Sequence, residues 1–180
     1  LQTAVAWGYI PANPCDAVER PRAESKQMQV WTAAEAKRFL SACAGDRLGA
    51  LYAVALASGA RQGELLGLRW RDVDLKAGRI HIRQQLTETR GHIEVAPPKT
   101  KAGKRTIRLP KFGVEALRAH RKAMLAEGNH VAPFVFCTEA GTGISKSNLR
   151  RRSFAPLIAK AGVPKISFHQ LRHSSATLLL

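Results

Sequence analysis

The sequence predicts an α+β fold, in which a mostly helical domain carries a small antiparallel three-stranded sheet. Apolar residues recur at helical spacing through most of the chain, but one stretch alternates instead. There Ile80 and Ile82 would face one side and Arg79, His81 and Arg83 the other, which is typical of a strand. Hydrophobic residues make up 45% of the 180 residues, enough to form a core of ordinary size.

Local signals place the ends of the predicted helices. Thr32 and Glu35 have the spacing of a capping box at a helix start. An apolar helix is expected from about Leu48 to Ala57, ended by Gly59, and a shorter one from about Gln62 to Leu68. The other expected helices run from about Phe112 to Glu127, from a cap at Ser147 up to Pro164, and onward from a cap at Ser167.

Three segments are expected to form the sheet, namely residues 79–83, 92–95 and 105–109. A basic turn over residues 97–104 would join the last two as a hairpin with a charged tip. A further short strand or bridge is expected over 134–137.

The chain divides into a short leading segment and one main domain. Residues 1–22 are predicted to be the end of a preceding helical domain, 23–30 a linker, and 31–180 the main domain. The longest apolar run, from about Leu48 to Ala57, is too short to span a bilayer, so no membrane partner is expected.

The net charge indicates a polyanionic partner. Lys and Arg number 29 against 13 Asp and Glu, which gives +16 at neutral pH. Cations that neutralise phosphates release condensed counterions, so nucleic acid is favoured over an acidic membrane or protein. Charge alone does not distinguish DNA from RNA.

Arg61 follows a glycine break at the start of a predicted helix, where backbone amides already favour an anion. Its guanidinium can hold a phosphate through two parallel hydrogen bonds. Glu64, three residues later, would lie on the same face and hold Arg61 in place. An ordinary surface Arg–Glu pair would have the same spacing.

A second candidate group lies near the end of the chain. His169 and Arg172 are three residues apart on a predicted helix, so they share a face, and His173 lies near it. Such side chains can converge on one phosphate, although a solvated polar face is the commoner reason for the pattern. Zinc binding by His169 and His173 is disfavoured because no third ligand is nearby, and no metal or cofactor is expected.

The third group is the basic turn with Lys99, Lys101 and Lys104. It could be a solvated hairpin that touches the DNA backbone, or it could present a lysine to a leaving oxygen. Lys101 and Lys104 are also predicted to contact DNA. The same is expected of three consecutive arginines, Arg150, Arg151 and Arg152.

Together the three groups resemble the tyrosine recombinase, or phage integrase, family. The resemblance rests on three motifs: A-R-x-x-E-L-L-x-L-x-W-x-D-V-D from Ala60, K-T-K-x-x-x-R-T-I from Lys99, and H-x-L-R-H from His169. It covers nearly the whole chain. It implies the tyrosine-recombinase fold, with residues 1–22 as the end of the helical core-binding domain.

The resemblance also implies a mechanism and a set of catalytic residues. A tyrosine hydroxyl would attack a DNA phosphodiester and leave a 3′-phosphotyrosine link. Arg61 and Arg172 would stabilise the transition-state charge, with His169 assisting. Lys99, or alternatively Lys101, would protonate the departing oxygen. The expected partner is double-stranded DNA in the bacterial cytoplasm, with the full-length protein acting as a tetramer on two duplexes.

The sequence departs from the family pattern in its tyrosines. Only Tyr9 and Tyr52 are present, the first in the leading segment and the second in the apolar helix. The nucleophile is therefore expected beyond Leu180, and the catalytic domain is expected to be incomplete and inactive as it stands.

Two other functions fit part of the pattern. A non-enzymatic helix-turn-helix regulator could use residues 148–152 as its recognition helix, but the Arg61 and His169 motifs would then have no purpose. A type IB topoisomerase uses similar residues around a tyrosine. The motif around Arg61 looks more like that of an integrase.

Overall fold

The computed structural model describes residues 1–19, 28–89, 91–98, 103–128 and 132–178. The helices are α1 (Gln2–Ala6), α2 (Ala33–Ala42), α3 (Gly49–Ser58), α4 (Gln62–Leu66), α5 (Lys111–Ala126), α6 (Lys146–Leu149), α7 (Ala155–Ala161) and α8 (Phe168–Leu178). The strands are β1 (Val73–Asp74), β2 (Arg79–Ile82), β3 (Gln85–Thr89), β4 (His92–Ala96) and β5 (Arg105–Arg108). A π-helical turn over Arg150–Phe154 joins α6 to α7. The α+β class predicted from the sequence is confirmed.

Most predicted helix ends are found with the expected chemistry. Thr32 Oγ1 accepts a hydrogen bond from the Glu35 amide at 3.3 Å, and Glu35 accepts one from the Thr32 amide at 2.8 Å. Gly59 ends α3 in the left-handed region, with a φ of 57°. The cap predicted at Ser147 is wrong, because it is Ser145 whose side chain accepts from the Asn148 amide and opens α6.

The sheet has a different membership from the one predicted. β2 pairs antiparallel with β1 on one side and β5 on the other, so that Ile80 lies opposite Ile107. β4 instead pairs with β3 in a separate two-stranded sheet. The predicted hairpin between residues 92–95 and 105–109 is therefore wrong. The sequence Gln-Leu-Thr-Glu-Thr of β3 has only one apolar residue, which left it without a strand signal.

The expected strand at residues 134–137 is also absent. Val135, Phe136 and Cys137 are buried there in an irregular segment. The Val135 amide donates to the Leu68 carbonyl at 2.8 Å, which attaches this segment to the residues after α4. Burial of the apolar side chains, and not strand pairing, explains the pattern.

The core is centred on α3, which is apolar nearly all round and is buried along most of its length. An aromatic cluster packs against it. The ring of Tyr52 stacks on Phe154 at 5.4 Å between centroids, and Phe39 packs edge-on against both rings. Trp31 lies 4.7 Å from Phe39 and is fully buried. This cluster joins α2, α3 and the π-helical turn into one unit.

Two contacts position α8 beside the start of α4. The amide of Trp31 donates to Ser174 Oγ at 2.9 Å, and the Trp31 indole donates to the Pro164 carbonyl at 2.8 Å. Ser175 lies against the turn between α3 and α4, where a Cβ added at Gly59 would be 3.3 Å from its Oγ. The end of the described chain is thus held next to Arg61.

Two glycines let β3 approach α4 closely. A Cβ added at Gly63 would lie 2.7 Å from the Leu86 carbonyl oxygen, and one at Gly67 would lie 2.9 Å from the Gln85 backbone. Since positions four apart share a helix face, this face of α4 presents bare backbone to β3. The close contact fixes the β3–β4 hairpin beside the Arg61 region.

The leading segment contributes little to this core. No residue of α1 is buried, and Trp7 and Tyr9 are both exposed. Among the described helices none is both long and apolar enough to cross a bilayer.

Candidate phosphate-binding site

Arg61 is the N-cap residue of α4, immediately after the turn at Gly59. Its backbone amide donates to Glu64 Oε2 at 2.8 Å, and its guanidinium Nη1 donates to Glu64 Oε1 at 3.1 Å. The predicted pairing of Arg61 with Glu64 is therefore confirmed. The Arg61 side chain is still 57% exposed, so much of its guanidinium remains accessible to a ligand.

Glu64 is a buried anchor for two arginines. It is only 2% exposed and accepts two further hydrogen bonds, at 2.9 and 2.8 Å, from the guanidinium of Arg105 on β5. Burial alone would raise the pKa of the Glu64 carboxyl. The hydrogen bonds and charges of Arg105 and Arg61 outweigh that effect and hold the pKa below its ordinary value. The negative charge of Glu64 is thus neutralised by ion pairs with Arg61 and Arg105.

The α8 residues face the same region. Burial lowers the pKa of the Arg172 guanidinium, and the positive charges of Arg61 and Arg105 lower it further. Arg172 Nη1 is buried and has no hydrogen-bond partner among the residues described. His169 Nε2 lies 3.2 Å from His173 Nε2, so one of the two rings can donate to the other.

A cavity of about 240 Å³ brings the two motifs together. It is lined by Ala60, Arg61, Gln62, Gly63, Gln85, Lys146, Phe168, His169 and Arg172. Arg61, His169 and Arg172, all selected from the sequence, therefore share one cavity. Glu64 lies directly behind Arg61, and His173 contacts His169 from the next turn of α8.

The electrostatics of the cavity favour an anion. Its lining includes two guanidiniums, one ammonium and one imidazole, and none of the lining residues is acidic. Two arginines can hold a tetrahedral anion through several parallel hydrogen bonds. A buried guanidinium nitrogen without a partner is costly, and an oxygen of a bound phosphate would satisfy it.

The basic-turn prediction is only partly described by the structure. Lys99 and Lys101 lie outside the described residues. Lys104 is exposed and lines a separate shallow cavity with Arg83 and Arg105. Lys104 does not line the Arg61 cavity.

The three consecutive arginines lie on the π-helical turn and are exposed. Arg151 Nη2 donates to Asn148 Oδ1 at 3.5 Å, a long contact. Arg150, Arg151 and Arg152 do not line the Arg61 cavity, so their DNA contact stays a prediction.

Sequence reasoning missed two basic residues of this region. Arg105 was visible in the K-T-K-x-x-x-R-T-I motif, but nothing in the sequence paired it with Glu64. Lys146 begins α6 and reaches the cavity from a third element. No local pattern could have indicated it, because its neighbours Gly63 and Arg61 are far away in the sequence.

No group of three or more His, Cys, Asp or Glu side chains with a metal-binding arrangement is present among the described residues. His169 and His173 contact each other directly. Their neighbours in the cavity are cationic, which does not favour a metal ion at this position.

The fold and the cavity define an α+β protein with a basic cavity that favours an anion. Residues 29–180 match the phage integrase family. The chain is 32% identical over 200 residues to a tyrosine recombinase XerC-like protein of Caldanaerobacter subterraneus, covering 98% of this chain and 51% of that protein. It is 28% identical over 188 residues to the ICEBs1 integrase of Bacillus subtilis, covering 100% of this chain and 50% of that protein.

Solved structures show the same architecture. A crystal structure of XerA recombinase superposes with a TM-score of 0.69 at 26% identity, covering 89% of this chain and 52% of that one. The Tn1549 transposon integrase in complex with transposon right end DNA gives a TM-score of 0.78 at 23% identity, covering 99% of this chain and 62% of that one. At that identity the second match establishes the fold alone.

This chain belongs to the phage integrase family, and the resemblance stated from the three motifs is confirmed. The chain spans about half the length of the curated relatives it matches. The helix-turn-helix regulator and the type IB topoisomerase are not favoured by these relatives.

Proposed function

We propose that this chain is the catalytic region of a tyrosine-type site-specific recombinase that cuts and rejoins double-stranded DNA. The observation that carries the proposal is the cavity in which Arg61 and Arg172, which lie far apart in sequence, meet with His169. The unpartnered Nη1 of Arg172 supports it, because a buried donor nitrogen without a partner is costly unless an acceptor binds it.

The relatives support DNA as the substrate. They are named as recombinases and integrases, and a fold neighbour, the lambda integrase, has been solved as a tetramer bound to a Holliday junction. The net charge of +16 agrees with a DNA partner. We propose that this protein also acts as a tetramer on two duplexes, in the bacterial cytoplasm.

In the proposed reaction a tyrosine oxygen attacks the phosphorus of a DNA phosphodiester in line. The new bond joins the tyrosine oxygen to phosphorus, and the bond to the 5′-oxygen breaks. Arg61 and Arg172 donate to the non-bridging oxygens, where negative charge accumulates. His169 helps to orient the phosphate or to transfer the proton that the attacking tyrosine hydroxyl loses. Because the phosphotyrosine link conserves the bond energy, attack by a 5′-hydroxyl rejoins the strand and no high-energy cofactor is required.

The departing 5′-oxygen needs a proton. We propose that Lys99 supplies it, with Lys101 as the alternative, as the family motif implies. Lys101, Lys104, Arg150, Arg151 and Arg152 are proposed to contact the DNA backbone.

The attacking tyrosine is proposed to lie outside these 180 residues. Tyr52 is fully buried in the aromatic cluster, and its hydroxyl donates to Ser153 Oγ at 2.7 Å. Burial also raises the pKa of Tyr52, which opposes formation of the nucleophilic phenolate. Tyr9 is exposed in the leading segment, next to Trp7. We propose that residues 1–22 end a core-binding domain and that 23–30 form a linker to the catalytic domain at 31–180.

The test is a suicide duplex, nicked so that a cut strand cannot be rejoined. It is incubated with the protein together with any sequence that its reading frame encodes after residue 180. A covalent protein–DNA adduct on a denaturing gel is expected, and Arg172→Ala should abolish it. An adduct of unchanged yield in that variant would remove Arg172 from the site.

A further inference from the structure

Lys146 lies on the wall of the proposed phosphate cavity. It is distant from Arg61 and Arg172 in sequence but lies near them in space. It lines the same cavity as Arg61, His169 and Arg172. Its Nζ approaches α4 closely, since a Cβ added at Gly63 would be 3.4 Å from it. The ammonium therefore lies next to the first turn of the helix that begins at Arg61.

The backbone of Lys146 is held by a carboxylate from the neighbouring hairpin. Glu88 on β3 accepts hydrogen bonds from the Ser145 hydroxyl at 3.0 and 3.1 Å and from the Lys146 amide at 3.0 Å. Ser145 in turn caps α6. These contacts fix the start of α6, and the Lys146 side chain extends from there to Gly63 on α4.

The ammonium itself has no counter-charge within the described part of the chain. Neither an ion pair nor a hydrogen bond joins Lys146 Nζ to another described group. Glu88 accepts a hydrogen bond from the backbone amide of Lys146 and not from its ammonium. Glu64, the carboxylate behind Arg61, is already bonded to Arg61 and Arg105. A cation held beside two guanidiniums is repelled unless an anion enters.

We propose that Lys146 is a further phosphate-binding residue, which donates to a non-bridging oxygen of the same DNA phosphodiester that Arg61 and Arg172 hold. This inference rests on the proposed function. It adds a third element, α6, to the two that the family motifs supply. It also gives the Glu88 contact a role, because β3 then positions a DNA-binding group.

The test measures the affinity of the chain for a fluorescent DNA duplex over a range of salt concentrations. Lys146→Ala is expected to weaken binding by about fivefold at low salt and to reduce the slope of log K against log salt by about 1. Lys146→Arg should restore the slope. Lys122→Ala is the matched control, since Lys122 is exposed on α5, does not line the cavity and loses the same charge.

A double-variant cycle then locates the contact. If Lys146 and Arg172 hold one phosphate, the loss in Lys146→Ala/Arg172→Ala should differ by at least threefold from the product of the single losses. Additive losses would place Lys146 on another phosphate and overturn the inference. So would equal behaviour of Lys146→Ala and Lys122→Ala.

The same measurements separate this inference from the function on which it rests. If the unaltered chain does not bind DNA, or if Arg172→Ala leaves binding unchanged, the proposed function fails and the inference fails with it. If Arg172→Ala weakens binding and Lys146→Ala does not, only the inference fails. Circular dichroism checks that each variant is folded, and Lys146→Met, which keeps the aliphatic stem, separates loss of charge from loss of packing.

Discussion

Two clusters in this protein each consist of one buried carboxylate and two arginines, but their surroundings differ. In the first, Glu64 accepts hydrogen bonds from Arg61 and Arg105, and in the second, Asp72 pairs with Arg69 at 2.7 Å and Arg83 at 3.4 Å. Both carboxylates are buried, and each pairs with an arginine three residues before it. Judged by these pairs alone, the two clusters would be given the same role.

The difference is a neighbouring cation with a buried nitrogen that lacks a partner. The Glu64 cluster lies beside Arg172, whose Nη1 has no partner, and beside Lys146. No buried side-chain nitrogen or oxygen of the Asp72 cluster lacks a partner in the part of the chain that the structure describes. A carboxylate with two arginines is a structural ion pair, whereas an additional cation with an unpartnered nitrogen beside it makes an anion favourable there.

The largest expected effect is the loss of DNA cleavage when Arg172, beside the Glu64 cluster, is replaced. Arg172→Ala should reduce the adduct yield on a suicide duplex at least about 100-fold, because a preorganised donor to the transition state is lost. Its free energy of unfolding should not fall, since the guanidinium is partly desolvated and repelled by Arg61 and Arg105. Denaturant unfolding measures that second quantity.

Arg69→Ala is the matched control for Arg172→Ala. It should lower the free energy of unfolding by about 1–2 kcal/mol, because it leaves buried Asp72 with one partner fewer. The adduct yield per folded molecule should stay unchanged. A stability loss in Arg172→Ala as large as that in Arg69→Ala would make the two clusters equivalent and contradict the comparison.

The second effect is on stability at the two carboxylates. Glu64→Gln should cost about 3 kcal/mol of unfolding free energy, mainly through Arg105, since Arg61 is largely exposed. Asp72→Asn should cost a similar or smaller amount. Only Glu64→Gln is expected to weaken DNA binding as well, because it releases Arg61 from its position.

The lowered pKa of Glu64 predicts how the stability that this residue contributes changes with pH. The pKa of Glu64 is lower in the folded protein than its ordinary value of 4.5. Its contribution to stability is therefore complete above about pH 4.5 and is lost as the pH falls through the depressed folded value. The stability difference between the wild type and Glu64→Gln should shrink in that acidic range, and a constant difference would argue against this pairing.

A smaller effect is expected at two glycines, Gly63 in α4 and Gly67 at the C-cap of that helix. Gly63→Ala and Gly67→Ala should each lower the free energy of unfolding by about 1–3 kcal/mol, because a Cβ at either position presses on the β3 backbone. Gly63 lines the cavity and Gly67 does not. Only Gly63→Ala should therefore also weaken DNA binding, as measured by fluorescence anisotropy. Equal binding losses in the two variants would mean that β3 as a whole, and not the cavity wall, controls affinity.

The smallest effect concerns the surroundings of the Asp72 cluster. His120 lies against Trp70 and Phe136, and its Nε2 is 2.7 Å from the Val135 carbonyl. Burial lowers the pKa of His120 below its ordinary value of 6.5. Below about pH 6.5 the unfolded chain therefore takes up a proton that the folded chain does not, so stability falls as the pH falls.

His120→Gln should remove this acid sensitivity. The expected slope in the wild type is at most about 1.4 kcal/mol per pH unit between pH 6.5 and the folded pKa of His120. Urea unfolding at a series of pH values measures it. If the variant kept the full slope, another group would be the titrating one.

The sequence-based expectations held where the determinants are local. The capping box at Thr32, the left-handed end of α3 at Gly59 and the alternation of Ile80 and Ile82 were all found. Expectations failed for strand pairing, even for the local hairpin of β3 and β4. β3 has too few apolar residues to signal a strand, and its pairing with β4 is stabilised by the close approach of α4 at Gly63.

The sequence by itself predicted the fold class from the periodicity of its apolar residues. It indicated the family, and with it the candidate residues Arg61, His169 and Arg172, through three motifs that resemble that family. Only the tertiary structure decided that Arg105 shares Glu64 with Arg61, that Arg172 keeps an unpartnered nitrogen, and that Lys146 reaches their cavity. The physical reason is that burial and electrostatic surroundings depend on which distant segments pack together. Neither quantity is encoded in the residues next to the one concerned.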